Sequence, residues 1–178
     1  MACVLTHGES LDCREGVGGI KELYIIELAN VSAITESSGI VTAITKVSGK
    51  RFWKYAQVRE TSNTNETLAG NLQNGTLYYD QSVNIVINNR QATRRNEIML
   101  LAKNNLIIVA VENQVDSSGN NKSFLYGRVN GLQLQTGEAP SGTTWADRNG
   151  YTLTFQAQEV ELAPEVTYSL LAGLETPG

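Results

Sequence analysis

At 178 residues, 41% of them apolar and 18% charged, the chain can bury one hydrophobic core and takes its polar surface mostly from Asn, Gln, Thr, Ser and Gly. The 18 acidic and 14 basic residues leave a net charge of −4, which excludes a broad electrostatic grip on nucleic acid. No apolar run is long enough for a membrane-spanning helix and no basic segment leads into one near Met1, so neither a span nor a signal peptide is expected.

Met1–Gly19 reads as an arm, because Gly8, Gly16, Gly18 and Gly19 interrupt any period. Cys3 and Cys13 lie there beside His7 and Asp12, at a spacing that matches no structural zinc pattern. Inert thiols are expected; a disulfide is allowed but not demanded. Residues 20–178 form a single β-rich domain. Ile20–Val31 is near-continuously apolar, as in a strand covered on both faces, and Gly39–Val47 gives a second strand after the turn chemistry of Glu36–Gly39.

Gly49–Asn88 reads as one long β-hairpin. Its first arm, Lys50–Thr61, carries Phe52, Trp53, Tyr55 and Val58 without glycine or proline. In the second arm Leu77, Tyr79, Val83, Ile85 and Ile87 share one parity, with Gln81 as the exception, and Asp80, Ser82 and Asn84 share the other. A period of two sets the first group against a core and the second against solvent or a polar channel. Thr61–Asn74, between the arms, is too polar for a core element and reads either as an ordered tip that finds a partner or as a mobile loop.

The period then changes. Asn88 or Asn89 is placed to cap a helix over Arg90–Lys103, the one substantial helix expected, packed on a sheet by Ile98, Leu101 and Ala102. Leu106–Val111 is the most apolar strand and pairs with Phe124–Val129 through a hairpin tipped by Ser117–Asn121. Asn130–Gly131 signals a turn before the short strand Leu132–Thr136, and a loop Gly137–Gly150 carries Trp145. Tyr151–Ala157 alternates without error, with Tyr151, Leu153 and Phe155 inward, and continues into Gln158–Leu162. After Pro164, Thr167–Leu171 is a short edge strand or turn.

Chemistry is thinly represented. His7 is the single histidine, so a Ser–His–Asp or Cys–His arrangement would have to be built in the arm. The acidic residues are dispersed, and Gly16–Gly19 precedes a strand rather than linking a strand to a helix, unlike a phosphate-cradling loop. No enzyme, cofactor or metal site is expected. Arg90, Arg94 and Arg95 either contact phosphate or a neighbouring chain's carboxylate or are a solvated face. Trp53 and Tyr55, like Trp145 and Tyr151, read as core or subunit-contact residues rather than a base-stacking platform.

The hairpin, single helix and closing strands, with Tyr126–Gly131 and Asp147–Phe155, resemble the structural proteins of bacteriophage tails, in particular tail tube proteins. The resemblance covers roughly residues 20–162 and implies a mainly β protomer, a β-barrel or β-sandwich with a long hairpin and one flanking α-helix. It implies hexameric rings stacked into a tube in the virion, assembled in the host cytoplasm. Its partners would be copies of itself and other tail or connector proteins, with viral DNA passing through unbound and no membrane involved. Carried onto this chain, Asp80, Ser82 and Asn84 would face the lumen, and Asn65, Glu66, Leu68, Trp53 and Arg94 would meet neighbouring subunits. A head-completion, connector or capsid-decoration protein is the rival within the virion. A carbohydrate-binding β-sandwich module is the rival of another class, and it requires Trp53 and Trp145 in one groove.

Overall fold

The computed structural model describes residues 16–178 together with Gly8, so the readings of Cys3, His7, Asp12 and Cys13 lie outside the described residues. Among the described residues eleven strands form two open sheets, and neither closes into a barrel. The first has seven strands. Its centre is β1 (Ile20–Glu27) against β7 (Leu106–Val115), flanked on one side by the edge strand β4 (Trp53–Ala56). On the other side follow β8 (Asn121–Tyr126), the two-residue β11 (Glu165–Val166), β3 (Ile40–Lys46) and β2 (Val31–Ser37). The second sheet has the order β5 (Asn63–Asn71), β6 (Thr76–Asn88), β10 (Gly150–Glu159), β9 (Gln133–Glu138).

The main core joins the sheets face to face. Leu23, Ile25, Ile108 and Ala110 from the seven-stranded sheet cluster with Val83, Ile85, Leu153 and Phe155 from the four-stranded one. A second core on the far side of the larger sheet gathers Tyr24, Ile26, Phe52, Ile107, Val109, Leu125, Leu171 and Leu174. The larger sheet is therefore covered on both faces at its centre, which is why Leu106–Val111 is apolar at every position and buried throughout.

The long hairpin differs from its sequence reading. Lys50–Thr61 is not an arm of it: β4 pairs with β1 in the other sheet, Tyr55 opposite Leu23. The chain then turns, with Glu60 at a φ of 61°, and crosses to the second sheet. Gln57 pins this corner, since its Oε1 accepts from Ser62 Oγ at 2.5 Å and from the Val86 N–H at 3.3 Å. The true partner of β6 is the segment expected to be a polar tip, now β5, paired from Asn63 opposite Asn84 to Asn71 opposite Thr76. A polar segment serves as a strand here because it is an edge, half-exposed even on its core side.

Two other elements depart from expectation. Helix α1 (Ala92–Leu101) is flanked by Gln91 without a side-chain cap, while Asn89 sits at a φ of 65°. Ile98 and Leu101 pack on the core as expected, but Ala102 is exposed. A second helix, α2 (Tyr168–Leu174), replaces the expected edge strand or turn and buries Leu171 and Leu174 in the second core.

Candidate functional site

The outer face of the four-stranded sheet is built in rungs. Asn63, Asn84, Thr154 and Thr136 lie side by side across the four strands, and Asn65, Ser82, Gln156 and Gln133 form the next rung. Thr67, Asp80 and Gln158 form a third on three strands. Side chains tie the first rung laterally, Asn84 Nδ2 donating to Asn63 Oδ1 at 3.1 Å and Thr154 Oγ1 to Asn84 Oδ1 at 2.5 Å, and Gln156 Nε2 of the second rung donates to Asp80 Oδ1 of the third at 2.5 Å. Asp80 is the one charge in these three rungs, and Asp80, Ser82 and Asn84 share this face as their parity required. The opposite parity is buried at Val83 and Ile85 but not at Leu77, which is 62% exposed because β10 reaches only as far as Tyr79.

Gln81 is also buried and is fully accommodated. Its Nε2 donates to Glu66 Oε1 at 2.9 Å and its Oε1 accepts from the Gly127 N–H at 3.0 Å. The same Glu66 oxygen accepts from the Ala163 N–H at 2.8 Å. Glu66 thus faces inward and serves its own chain.

Both edges of this sheet are free among the described residues: β5 and β9 each pair on one side only. Past the end of β10 the β5–β6 hairpin continues for a few residues and exposes apolar side chains, Leu68 at 61%, Leu72 at 102% and Leu77 at 62%. Thr67–Tyr79 contains no charged residue.

The other expected contact residues scatter. Asn65 is exposed on the rung face, and Leu68 lies at the hairpin end. Trp53 is on β4, over half exposed, with the Arg51 guanidinium 4.1 Å from its ring centroid. The Arg94 guanidinium binds the carbonyls of Asn88 and Asn89, closing the turn ahead of α1. Tyr55 is in the core region, where burial and then the charges of Glu97 and Glu27 push its hydroxyl above the usual range.

Trp145, expected in a core or contact, stands completely exposed on a braced loop. Asp147 Oδ2 accepts the N–H groups of Thr143 and Thr144 at 2.8 and 2.7 Å, which holds the carboxyl below its usual range. The cleft that Trp53 lines is walled by Ile25, Tyr55, Leu100, Leu101 and Leu106, not by Trp145. Sequence reasoning missed the bracing carboxylate, whose signal was the Thr143-Thr144-Trp145-Ala146-Asp147 run inside a loop that also holds Pro140 and Gly142.

Among the described residues no group of three His, Cys, Asp or Glu is placed to hold a metal ion, and no helix is long and apolar enough to cross a membrane. No family model, no curated protein and no solved structure matches the chain.

Proposed function

We propose that this chain is a structural subunit that assembles with copies of itself, and that its assembly is a ring stacked into a tube of the bacteriophage tail type. The observation that carries the proposal is the four-stranded sheet: one face is built into the core, the other is mostly uncharged and polar, with Asp80 and Glu138 as the carboxylates of its rungs, and both edges are unpaired among the described residues. Free edges present rows of N–H and C=O groups that another chain can pair with, and a closed ring of sheets removes them all. An Asn/Thr/Gln/Ser wall suits a lumen through which DNA slides, since it neither grips phosphate nor strongly repels it. The protein would then act in the virion, without catalysis or a cofactor, and DNA would pass without specific binding.

Light scattering at high protein concentration, paired with negative-stain imaging, tests this directly. Rings or tubes are the expected result. A species that stays monomeric across salt and pH, with no filaments, would count decisively against assembly. Closed particles other than tubes would favour the connector or decoration role.

A further inference from the structure

We infer that Asn74–Gly75, in the turn between β5 and β6, is a site of spontaneous covalent self-modification, set apart by the fold from the other two Asn–Gly steps of the chain. The chemistry needs only water. The Gly75 amide nitrogen attacks Asn74 Cγ, forming a C–N bond, and the side-chain nitrogen leaves as ammonia with the proton the amide gives up. Water then opens the resulting five-membered succinimide at either carbonyl, leaving aspartate or isoaspartate. For the attack, the glycine nitrogen must be free of hydrogen bonds and the asparagine must be able to swing its carboxamide onto it.

Sequence alone ranks Asn74–Gly75, Asn130–Gly131 and Asn149–Gly150 equally. The structure separates them. Asn130 is held at both ends: its N–H donates to Glu159 Oε1 at 2.9 Å and its Nδ2 to the Gln158 carbonyl at 2.5 Å. Gly131 beside it is wedged, since even a methyl there would lie 2.8 Å from Asn105 Cβ. At the third step the Gly150 N–H is committed to the Pro140 carbonyl at 3.2 Å, and the Asn149 carbonyl accepts from Asn89 at 2.7 Å. A methyl on Gly150 would meet the Ile87 carbonyl. At Asn74, by contrast, only the backbone N–H is engaged, by Asn71 Oδ1 at 3.2 Å. Among the described residues neither its carboxamide nor the Gly75 N–H has a hydrogen-bond partner, and nothing lies within 4 Å of a methyl built on Gly75.

The product places a carboxylate inside the uncharged stretch Thr67–Tyr79, beside exposed Leu72 and Leu77, and the isoaspartate form also lengthens the turn backbone. The inference concerns a single chain in solution and does not rest on assembly.

The test is prolonged incubation of the intact protein at mildly alkaline pH, followed by peptide mass analysis and methyl labelling with a protein isoaspartyl methyltransferase. Conversion of amide to acid is expected on the peptide holding Asn74, with Asn130 and Asn149 retained as amides. In denaturant all three should convert at comparable rates. Asn74→Gln, which would have to form a six-membered ring, should remove the methyl label. Conversion of Asn130 or Asn149 as fast as Asn74 in the folded chain would overturn the inference. So would an intact Asn74 in a folded chain that converts at this position once unfolded.

Discussion

The carboxylate of Glu66 and the carboxamide of Gln81 meet across the β5–β6 pair at 2.9 Å, and this contact links the edge strand to the buried interior. Gln81 is 2% exposed, so its two polar atoms depend on protein partners, and the Glu66 oxygen also holds the Ala163 N–H. Replacing Glu66 by Ala leaves two donors short of an acceptor. We expect a loss of about 1–3 kcal/mol, read as a lower urea midpoint at an unchanged slope. An unchanged midpoint would mean that water replaces the carboxylate without cost.

Val83 and Ser82 are neighbours on β6 with opposite fates, Val83 at 0% exposure and Ser82 on the rung face. Val83→Asp buries a charge with no partner and should abolish folding, at a cost of several kcal/mol. Ser82→Asp should fold normally by circular dichroism. If the rung face lines a lumen, the added carboxylates crowd together in each ring and weaken assembly more at low salt than at high salt. Assembly of Ser82→Asp without salt dependence would remove the rung face from the lumen.

Asp147 gives the Trp145 loop a pH response whose sign is fixed by its hydrogen bonds. The N–H of Thr144, and then that of Thr143, stabilise the ionised carboxylate and lower its folded-state pKa. The loop order it contributes is therefore complete above the ordinary carboxylate range and is lost as pH falls through the lowered value. Amide exchange at Thr143 and Thr144 should accelerate in acid, and Asp147→Asn should show fast exchange already at neutral pH. Equal exchange in the two proteins at neutral pH would show that the loop is held by other contacts.

Lys46 acts on α2 from a distant strand. Its ammonium donates to the carbonyls of Gly173 at 2.8 Å and Leu174 at 3.3 Å at the helix end, beside the Thr176 hydroxyl and the Phe52 N–H that those carbonyls also accept. Lys46→Met keeps the stem and removes the donor. We expect a loss of about 1–2 kcal/mol and faster amide exchange in α2, with β6 and β10 unaffected. A destabilisation spread evenly over both sheets would refute a local capping role.

What the sequence made legible follows from how each element is buried. Val83, Ile85, Leu153 and Phe155 lie on strands with one face on the core, so their parity is written in the residues. The outward set Asp80, Ser82 and Asn84 was legible for the same reason. The pairing of β5 was not, because its inward positions Thr64, Glu66 and Leu68 make no apolar row and an edge needs none. The mistaken arm has another cause. Phe52, Trp53 and Tyr55 do form or flank a strand, but the corner that sends the chain to the other sheet depends on Gln57, Ser62 and Val86, contacts that no local period records. Helix α2 escaped because it spans only Tyr168–Leu174, too short for Leu171 and Leu174 to establish a helical period. Of the five expected contact residues, Glu66 and Arg94 also make hydrogen bonds within the chain, with partners far off in sequence or set by turn geometry.

Strand β11 joins β3 in parallel through Glu165 and Val166, and Glu165 pairs with Phe124 of β8 on its other side. This strip of two residues is what seats the β2–β3 hairpin in the larger sheet. During synthesis that hairpin is made early but has no sheet neighbour until the chain is translated past Val166. The larger sheet is therefore completed only once β11 has been made. A ribosome stalled before Glu165 should hold a nascent chain whose β2–β3 hairpin is still open to proteases.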